Sequence, residues 1–249
     1  MLHHSMDIVD DIIRKWKENG DIYRPFELYS LNISNIPNLP REIRRLYIHS
    51  CNISCLDNIP PLVESLSCNN CNIETIISLP NRIVNLSLEN NRLNILPKLP
   101  DSIRRLNIGY NLFEDMPMLP SGLRELVANN NRLTSIMSLP STLRLLDCEK
   151  NMIETICTLP YRMQYLYIGN NKLTSLPLLP SKLYWLDFHK NTISILPNIP
   201  GRLKYLFCSE NPLPSELLED ETTEELFYYD VLGDNHREKI KKWKKYLKE

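Results

Sequence analysis

Apolar positions along this chain repeat every 20 residues. A leucine stands at Leu46, Leu66, Leu86, Leu106, Leu126, Leu146, Leu166, Leu186 and Leu206, and two residues on come Ile48, Cys68, Leu88, Ile108, Ala128, Cys148, Ile168, Phe188 and Cys208. That alternation predicts a short β-strand with one buried face. The next strand arrives one period later in the same direction, so the strands stack in parallel. A single cycle cannot bury its own leucines, whereas stacked neighbours share one core. Proline recurs at Pro40, Pro60, Pro80, Pro100, Pro120, Pro140, Pro160, Pro180 and Pro200, each preceded by Leu or Ile. The half-cycle x-L-x-x-L-P-x-L-P is too short and too proline-rich for a helix, and extended polyproline-II-like backbone suits it. The first of its two prolines is replaced by Asp57, Ile77, Met137 and Cys157.

Three residues beyond the second strand position stand Asn91, Asn111, Asn131, Asn151, Asn171, Asn191 and Asn211, with Cys51 and Cys71 in the earliest cycles. An inward amide needs partners, and backbone groups of adjacent turns can supply them, giving a structural ladder.

The ends depart from the period. From Asp7 to Asn19, Ile8, Val9, Ile12, Ile13 and Trp16 recur at helical spacing, with Gly20 as a stop. Phe26, Leu28, Leu31, Ile33, Ile36 and Pro37 match a degenerate first turn. Past Pro214 an acidic stretch leads to a basic segment, Arg237 to Lys248, with Ile240, Trp243 and Leu247 on one helical face. The expected organisation is an N-terminal helical cap over 1–24, a solenoid of about nine turns over 25–214, and a C-terminal helical cap over 215–249.

Composition narrows the function. The net charge of −1 argues against a protein devoted to gripping phosphate backbone. Six glycines against 18 prolines argue against a Gly-rich nucleotide fold. No run of ~18 apolar residues would span a bilayer, and no apolar run of signal-peptide length opens the chain. The seven cysteines are an odd number and cannot all pair within one chain. An intracellular, cytoplasmic protein with reduced cysteines is expected.

The 20-residue unit with its L-P-x-L-P punctuation resembles the short leucine-rich repeats of bacterial type III effectors of the YopM and IpaH kinds. Cysteine at the strand position and Asn/Ile/Lys-rich filler also resemble repeat proteins of giant viruses. The resemblance covers residues 25–214. It implies an α/β solenoid, a leucine-rich-repeat right-handed superhelix with a parallel concave β-sheet, a polyproline-II-like convex side and helical caps at both ends. The ligase members of that group carry a separate catalytic domain with a cysteine nucleophile. The segment after Pro214 has no cysteine and is too short for such a domain. The resemblance therefore implies a repeat-only binding protein, acting in the host cytoplasm if it is an effector or viral protein.

Candidate chemistry is sparse. Cys51, Cys55, Cys68 and Cys71 form a C-x3-C…C-x2-C arrangement that could be read as a zinc site, but three of them occupy inward repeat positions where a cysteine packs as a small hydrophobe. No metal and no cofactor are expected. His49 and His189 lie seven repeats apart, and the glycines are isolated, so no enzyme is expected. Asp147, Glu149 and Asp187 read as solvated or contact residues of the sheet face.

The residues flanking the leucines must point outward. Arg105 and Tyr110 lie in middle turns, and Tyr165, Tyr167, Trp185, Asp187, His189, Tyr205 and Phe207 fill the late ones. Exposed Trp and Tyr in one contiguous patch are what interfaces favour, so this face is expected to bind a protein. One position earlier, Arg44, Arg104, Arg124, Arg144 and Lys204 make a basic rim. Two alternatives remain open: an adaptor that recognises substrates for a ubiquitin-pathway or signalling enzyme, and a single-stranded nucleic-acid binder, which the balanced charge disfavours.

Overall fold

The structure is a computed structural model that describes residues 2–213, with side chains described from residue 7 onward. It divides into two compact units, Met1–Asn131 and Arg132–Glu249. The first holds helix α1 (Leu2–Asn19) and strands β1 (Phe26–Tyr29), β2 (Arg45–His49), β3 (Cys55–Leu56), β4 (Ser65–Asn69), β5 (Thr75–Ile76), β6 (Asn85–Ser87), β7 (Arg105–Asn107) and β8 (Glu125–Val127). The second holds β9 (Ser135–Ile136), β10 (Leu145–Asp147), β11 (Thr155–Ile156), β12 (Tyr165–Tyr167), β13 (Trp185–Asp187) and β14 (Tyr205–Phe207). Residues 215–249, expected as a C-terminal cap, lie outside the described residues. No helix among the described residues is long and apolar enough to cross a membrane.

Each unit is a run of solenoid coils, one main strand per coil, paired in parallel at a register of one repeat. In the first unit Leu46 stands opposite Leu66, Leu66 opposite Leu86 and Leu86 opposite Leu106. In the second, Leu146 faces Leu166, Leu166 faces Leu186 and Leu186 faces Leu206. The period explains the register directly, because any slip would turn leucines out to water. None of these leucines is more than 2 % exposed, and burying each stabilises the coil by about 1.5–3 kcal/mol.

The asparagine ladder closes the inner side. Asn111 donates from Nδ2 to the carbonyls of Leu88 (2.9 Å), Ile108 (3.2 Å) and Gly109 (3.0 Å), and its Oδ1 accepts from the Leu93 amide at 3.0 Å. Asn91, Asn131, Asn171, Asn191 and Asn211 repeat this pattern, and Asn151 bonds Cys148 O, Glu149 O and the Leu133 amide. Each side chain thus ties its own coil to the preceding one, and the next asparagine along carries the link onward. At the same position Cys71 Sγ reaches Ile48 O (3.5 Å) and Asn69 O (3.2 Å), and Cys51 Sγ reaches Leu28 O (3.8 Å). The thiol keeps the donor role with weaker bonds.

On the opposite side each closing proline opens a β-turn, as in the bonds from the Leu123 and Leu183 amides to Pro120 O and Pro180 O at 3.0 Å. The coils that lack the first proline behave differently. Ile77 N bonds Leu56 O (3.1 Å) and Cys157 N bonds Ile136 O (2.7 Å), and there the two-stranded pairs β3–β5 and β9–β11 form. Replacing proline restores the amide that a ladder needs.

Helix α1 starts five residues before the expected Asp7, there being no proline or glycine to stop it, and ends at Gly20 (φ 73°). Val9 and Trp16 are buried while Ile8 is exposed. The Trp16 ring meets Phe26 of β1 edge-on at 6.0 Å, and its Nε1 donates to Arg24 O at 3.2 Å.

The residue ending each strand segment takes the left-handed conformation once per repeat. Asn70, Asn90, Asn130 and Asn170 suit it, but Tyr110 (φ 54°), Lys150 (φ 52°), Lys190 (φ 54°) and Glu210 (φ 49°) do not. Lys150→Asn and Lys190→Asn should each raise stability by about 0.5–1 kcal/mol, measured by urea denaturation. A loss of stability in either would show that the lysine makes compensating contacts.

Candidate functional site: the open face of the sheet

The side of each main strand away from the leucines is open, and its character differs between the two units. In the first unit it is small and polar, and its groups bond sideways to one another. Ser87 Oγ donates to Asn69 Oδ1 (2.9 Å) and Asn107 Nδ2 to Glu89 Oε2 (3.1 Å). Arg105 is held between Glu125 (Nε to Oε2, 2.9 Å) and Asn85 (3.2 Å to Oδ1). A shallow trough of about 430 Å³ runs here from Tyr47 and His49 to Glu125 and Val127. Tyr110 is not on this face: the alternation stops one residue short of it, and it sits in the left-handed turn after β7, 46 % exposed.

In the second unit the register places Tyr165, Trp185 and Tyr205 side by side, with Tyr167, Asp187 and Phe207 in the neighbouring row. Trp185 is the hub. Its ring centroid lies 4.6 Å from Tyr205, 5.0 Å from Phe207 and 5.7 Å from Tyr167. All five aromatic rings are half-buried, and the Trp185 Nε1 is buried without a hydrogen-bond partner. Tyr184 extends the cluster, 6.1 Å from Tyr165 and 5.4 Å from Tyr205. Sequence reasoning missed it because it stands in the row read as basic; its signal was its place beside Trp185 at the outward edge of the strand.

Polar groups flank the rings. His189 donates from Nδ1 to Asp187 Oδ1 at 2.7 Å, its backbone amide bonds the same oxygen at 3.1 Å, and its Nε2 lies 2.7 Å from Asn170 Nδ2. The intervening coil offers Gly169, where a Cβ would lie 2.3 Å from His189 Nδ1, so the absence of a side chain lets the imidazole lie across the coil. Glu149 completes the group, its ligand atom and those of Asp187 and His189 all within 4.8 Å of one another. Among the described residues this is the one such gathering of three potential ligands, so Cys51, Cys55, Cys68 and Cys71 do not converge as a zinc site would require. All seven thiols are free.

Burial, then the Asp187 and Asp147 carboxylates, push Glu149 up from 4.5 to about 7. The hydrogen bond to Asp187 raises His189. A carboxyl whose folded pKa is raised binds more protons folded than unfolded, so stability falls as pH climbs from about 4.5 to about 7. Raised His189 adds a contribution present below its unfolded value near 6.5 and lost as pH passes its folded one. Glu149→Gln should therefore stabilise the protein by about 1–2 kcal/mol at pH 8, after discounting for solvent around a half-buried group, and by nothing at pH 4. Equal effects at both pH values would contradict this electrostatic origin.

The basic row is interrupted within each unit, by Glu64 and Val84 in the first and by Gln164 and Tyr184 in the second. Arg44 pairs with Glu64 and lies over the Tyr23 ring at 5.4 Å. Arg104 donates to Asp101 O (2.7 Å) and lies over Gly122, where a Cβ would clash with its guanidinium. Arg124 and Arg144 are exposed. Lys204 places its ammonium over the rings of Tyr184 (5.6 Å) and Tyr205 (5.5 Å).

No family model and no curated protein sequence matches the chain. Solved structures do. YopM from Yersinia enterocolitica WA-314 is 30 % identical with a TM-score of 0.68, over 73 % of this chain and 45 % of that one. YopM from Yersinia pestis, a leucine-rich effector protein, is 27 % identical with a TM-score of 0.70, over 76 % of this chain and 61 % of that one. The chain thus spans about half to three fifths of the length of these two structures. A chain of the octameric complex of Latrophilin 3, Unc5D and FLRT2 shares the fold at 23 % identity and a TM-score of 0.63, over 75 % of this chain and 68 % of that one. With its 20-residue period, its coils of parallel strands and these similarities, the chain is a leucine-rich-repeat protein whose repeats resemble those of the YopM effectors.

Proposed function

We propose that this chain is a non-catalytic protein-binding module whose contact site is the aromatic part of the open sheet face, centred on Trp185. The observation that carries the reading is the ring cluster itself: Tyr167, Tyr205 and Phe207 within 5.7 Å of Trp185 on the water-facing side of three neighbouring strands. Such rings cover a large area at low entropic cost and dominate the energetics of interfaces. Binding rather than catalysis fits His189, whose two ring nitrogens are taken up by Asp187 and Asn170. The similarity to YopM supports an effector role on host proteins, hence a place in the host cytoplasm. An adaptor role would use the same face. Single-stranded nucleic acid fits less well, because Glu149 and Asp187 beside the rings repel phosphate.

The test is capture of a protein partner by the full chain and by the Trp185→Ala, Tyr167→Ala double variant. Loss of capture with an unchanged circular-dichroism spectrum is expected. Undiminished capture would move the site elsewhere.

A further inference from the structure

The aromatic face is not chemically uniform. Lys204 covers one side of the cluster, over Tyr184 and Tyr205. Among the described residues no such cation–ring contact involves Tyr167 or Trp185. On that side the neighbours are carboxylates. Tyr167 is held above its ordinary range by burial and then by Asp147, with Asp187 and Glu149 contributing. The charged groups that set the state of Glu149 are Asp187 and Asp147, with His189 as the one cationic contribution. Rings backed by a surplus of negative charge therefore stand open on the Tyr167 side.

We propose that this patch, formed by Glu149 and Asp187 beside the rings of Tyr167 and Trp185, receives a lysine or arginine side chain of the bound protein. The inference rests on the reading of the aromatic face as the contact site and names the chemistry of what it contacts. An arginine or lysine stem covers apolar ring surface while its head meets the carboxylates, so both halves of the side chain find a matching surface. On the other side of the same cluster the rings already face a cation, the Lys204 ammonium over Tyr184 and Tyr205. A divalent ion fits less well: the ligand set would need a nitrogen of His189, and both are bonded, Nδ1 to Asp187 and Nε2 to Asn170. Hard cations also gain nothing from the adjoining rings. An acidic partner segment would meet like charge.

The groups that face Glu149 are Asp147 at the end of β10, two residues before it, Tyr167 on β12, and Asp187 and His189 from β13 and the turn after it. Raising the pH from 6 to 8 ionises Glu149, and so strengthens attraction for a cation.

The experiment titrates the full chain with a blocked peptide of six Gly-Arg repeats, followed by calorimetry at low salt. The comparison is the same peptide with citrulline, a neutral isostere, in place of arginine. The arginine peptide should bind at least about tenfold more tightly than the citrulline peptide. Glu149→Gln and Asp187→Asn should each weaken it about tenfold, while Glu74→Gln, outside the face, leaves it unchanged. Affinity of the unmodified chain should rise from pH 6 to pH 8, a readout that needs no variant. Equal binding of both peptides, or no effect of the two substitutions, would overturn the proposal. Calcium chloride displacing the peptide through Glu149 and Asp187 would overturn it in favour of a metal. The two readings fail separately. A captured partner lost in Trp185→Ala but retained at full affinity in Glu149→Gln and Asp187→Asn sinks only the cation patch. Retention in Trp185→Ala sinks both.

Discussion

Asn191→Ala should cost about 3–5 kcal/mol, the largest folding effect expected of any single polar substitution here. The amide is 7 % exposed and donates to Ile168 O (3.0 Å), Phe188 O (3.0 Å) and His189 O (3.3 Å), while its oxygen accepts from Leu173 N at 2.9 Å. Alanine would strip partners from four backbone groups shielded from water, each costing about 1–3 kcal/mol less whatever relaxation recovers. Water cannot easily replace the amide at a site walled by Ile168, Phe188 and Leu173, all fully buried. Cys51 and Cys71 show what the position tolerates, so Asn191→Cys should cost less, about 1–2 kcal/mol. Urea denaturation followed by tryptophan fluorescence, to which Trp185 on the same coil contributes, measures both. A change below 1 kcal/mol in Asn191→Ala would mean that the ladder does not hold the coils together.

Trp185→Ala should weaken partner binding at least about 100-fold while changing folding stability by less than about 1 kcal/mol. The separation follows from geometry. Leu186, next in the chain, is fully buried and carries the packing, whereas the Trp185 ring lies on the open face against Tyr167, Tyr205 and Phe207. Removing it takes away the hub and lets three rings lose their arrangement together, which is why a central aromatic dominates an interface. Tyr184→Ala, at the edge of the cluster, should cost only about tenfold. Calorimetry with the captured partner gives both numbers. A larger loss from Tyr184 than from Trp185 would place the contact centre nearer Lys204.

The solenoid was legible because one physical requirement, burying the strand leucines, recurs at a fixed spacing and leaves little freedom. The aromatic face was legible for the same reason: once inward positions are known, Tyr165, Trp185 and Tyr205 must share a side. What the period hides is local. Tyr110 stands two residues past the inward Ile108, outside the outward-pointing set, and the chain turns left-handed there. The four cycles without the first proline are visible in the sequence, but that a restored amide pairs β3 with β5 and β9 with β11 depends on where the neighbouring carbonyl stands. The grouping of Glu149, Asp187 and His189 was not visible, because it spans a coil and depends on Gly169 leaving room for an imidazole to cross it.

Hydroxyl-radical footprinting of the full chain, alone and with its captured partner, tests the central claim most directly. Trp185, Tyr167, Tyr205 and Phe207 should be protected in the complex, while Tyr161, exposed and outside the ring cluster, reacts as before. Protection of Met118, Leu178 and Ile195, which lie in the proline-rich half-coils, with Trp185 unchanged, would contradict it.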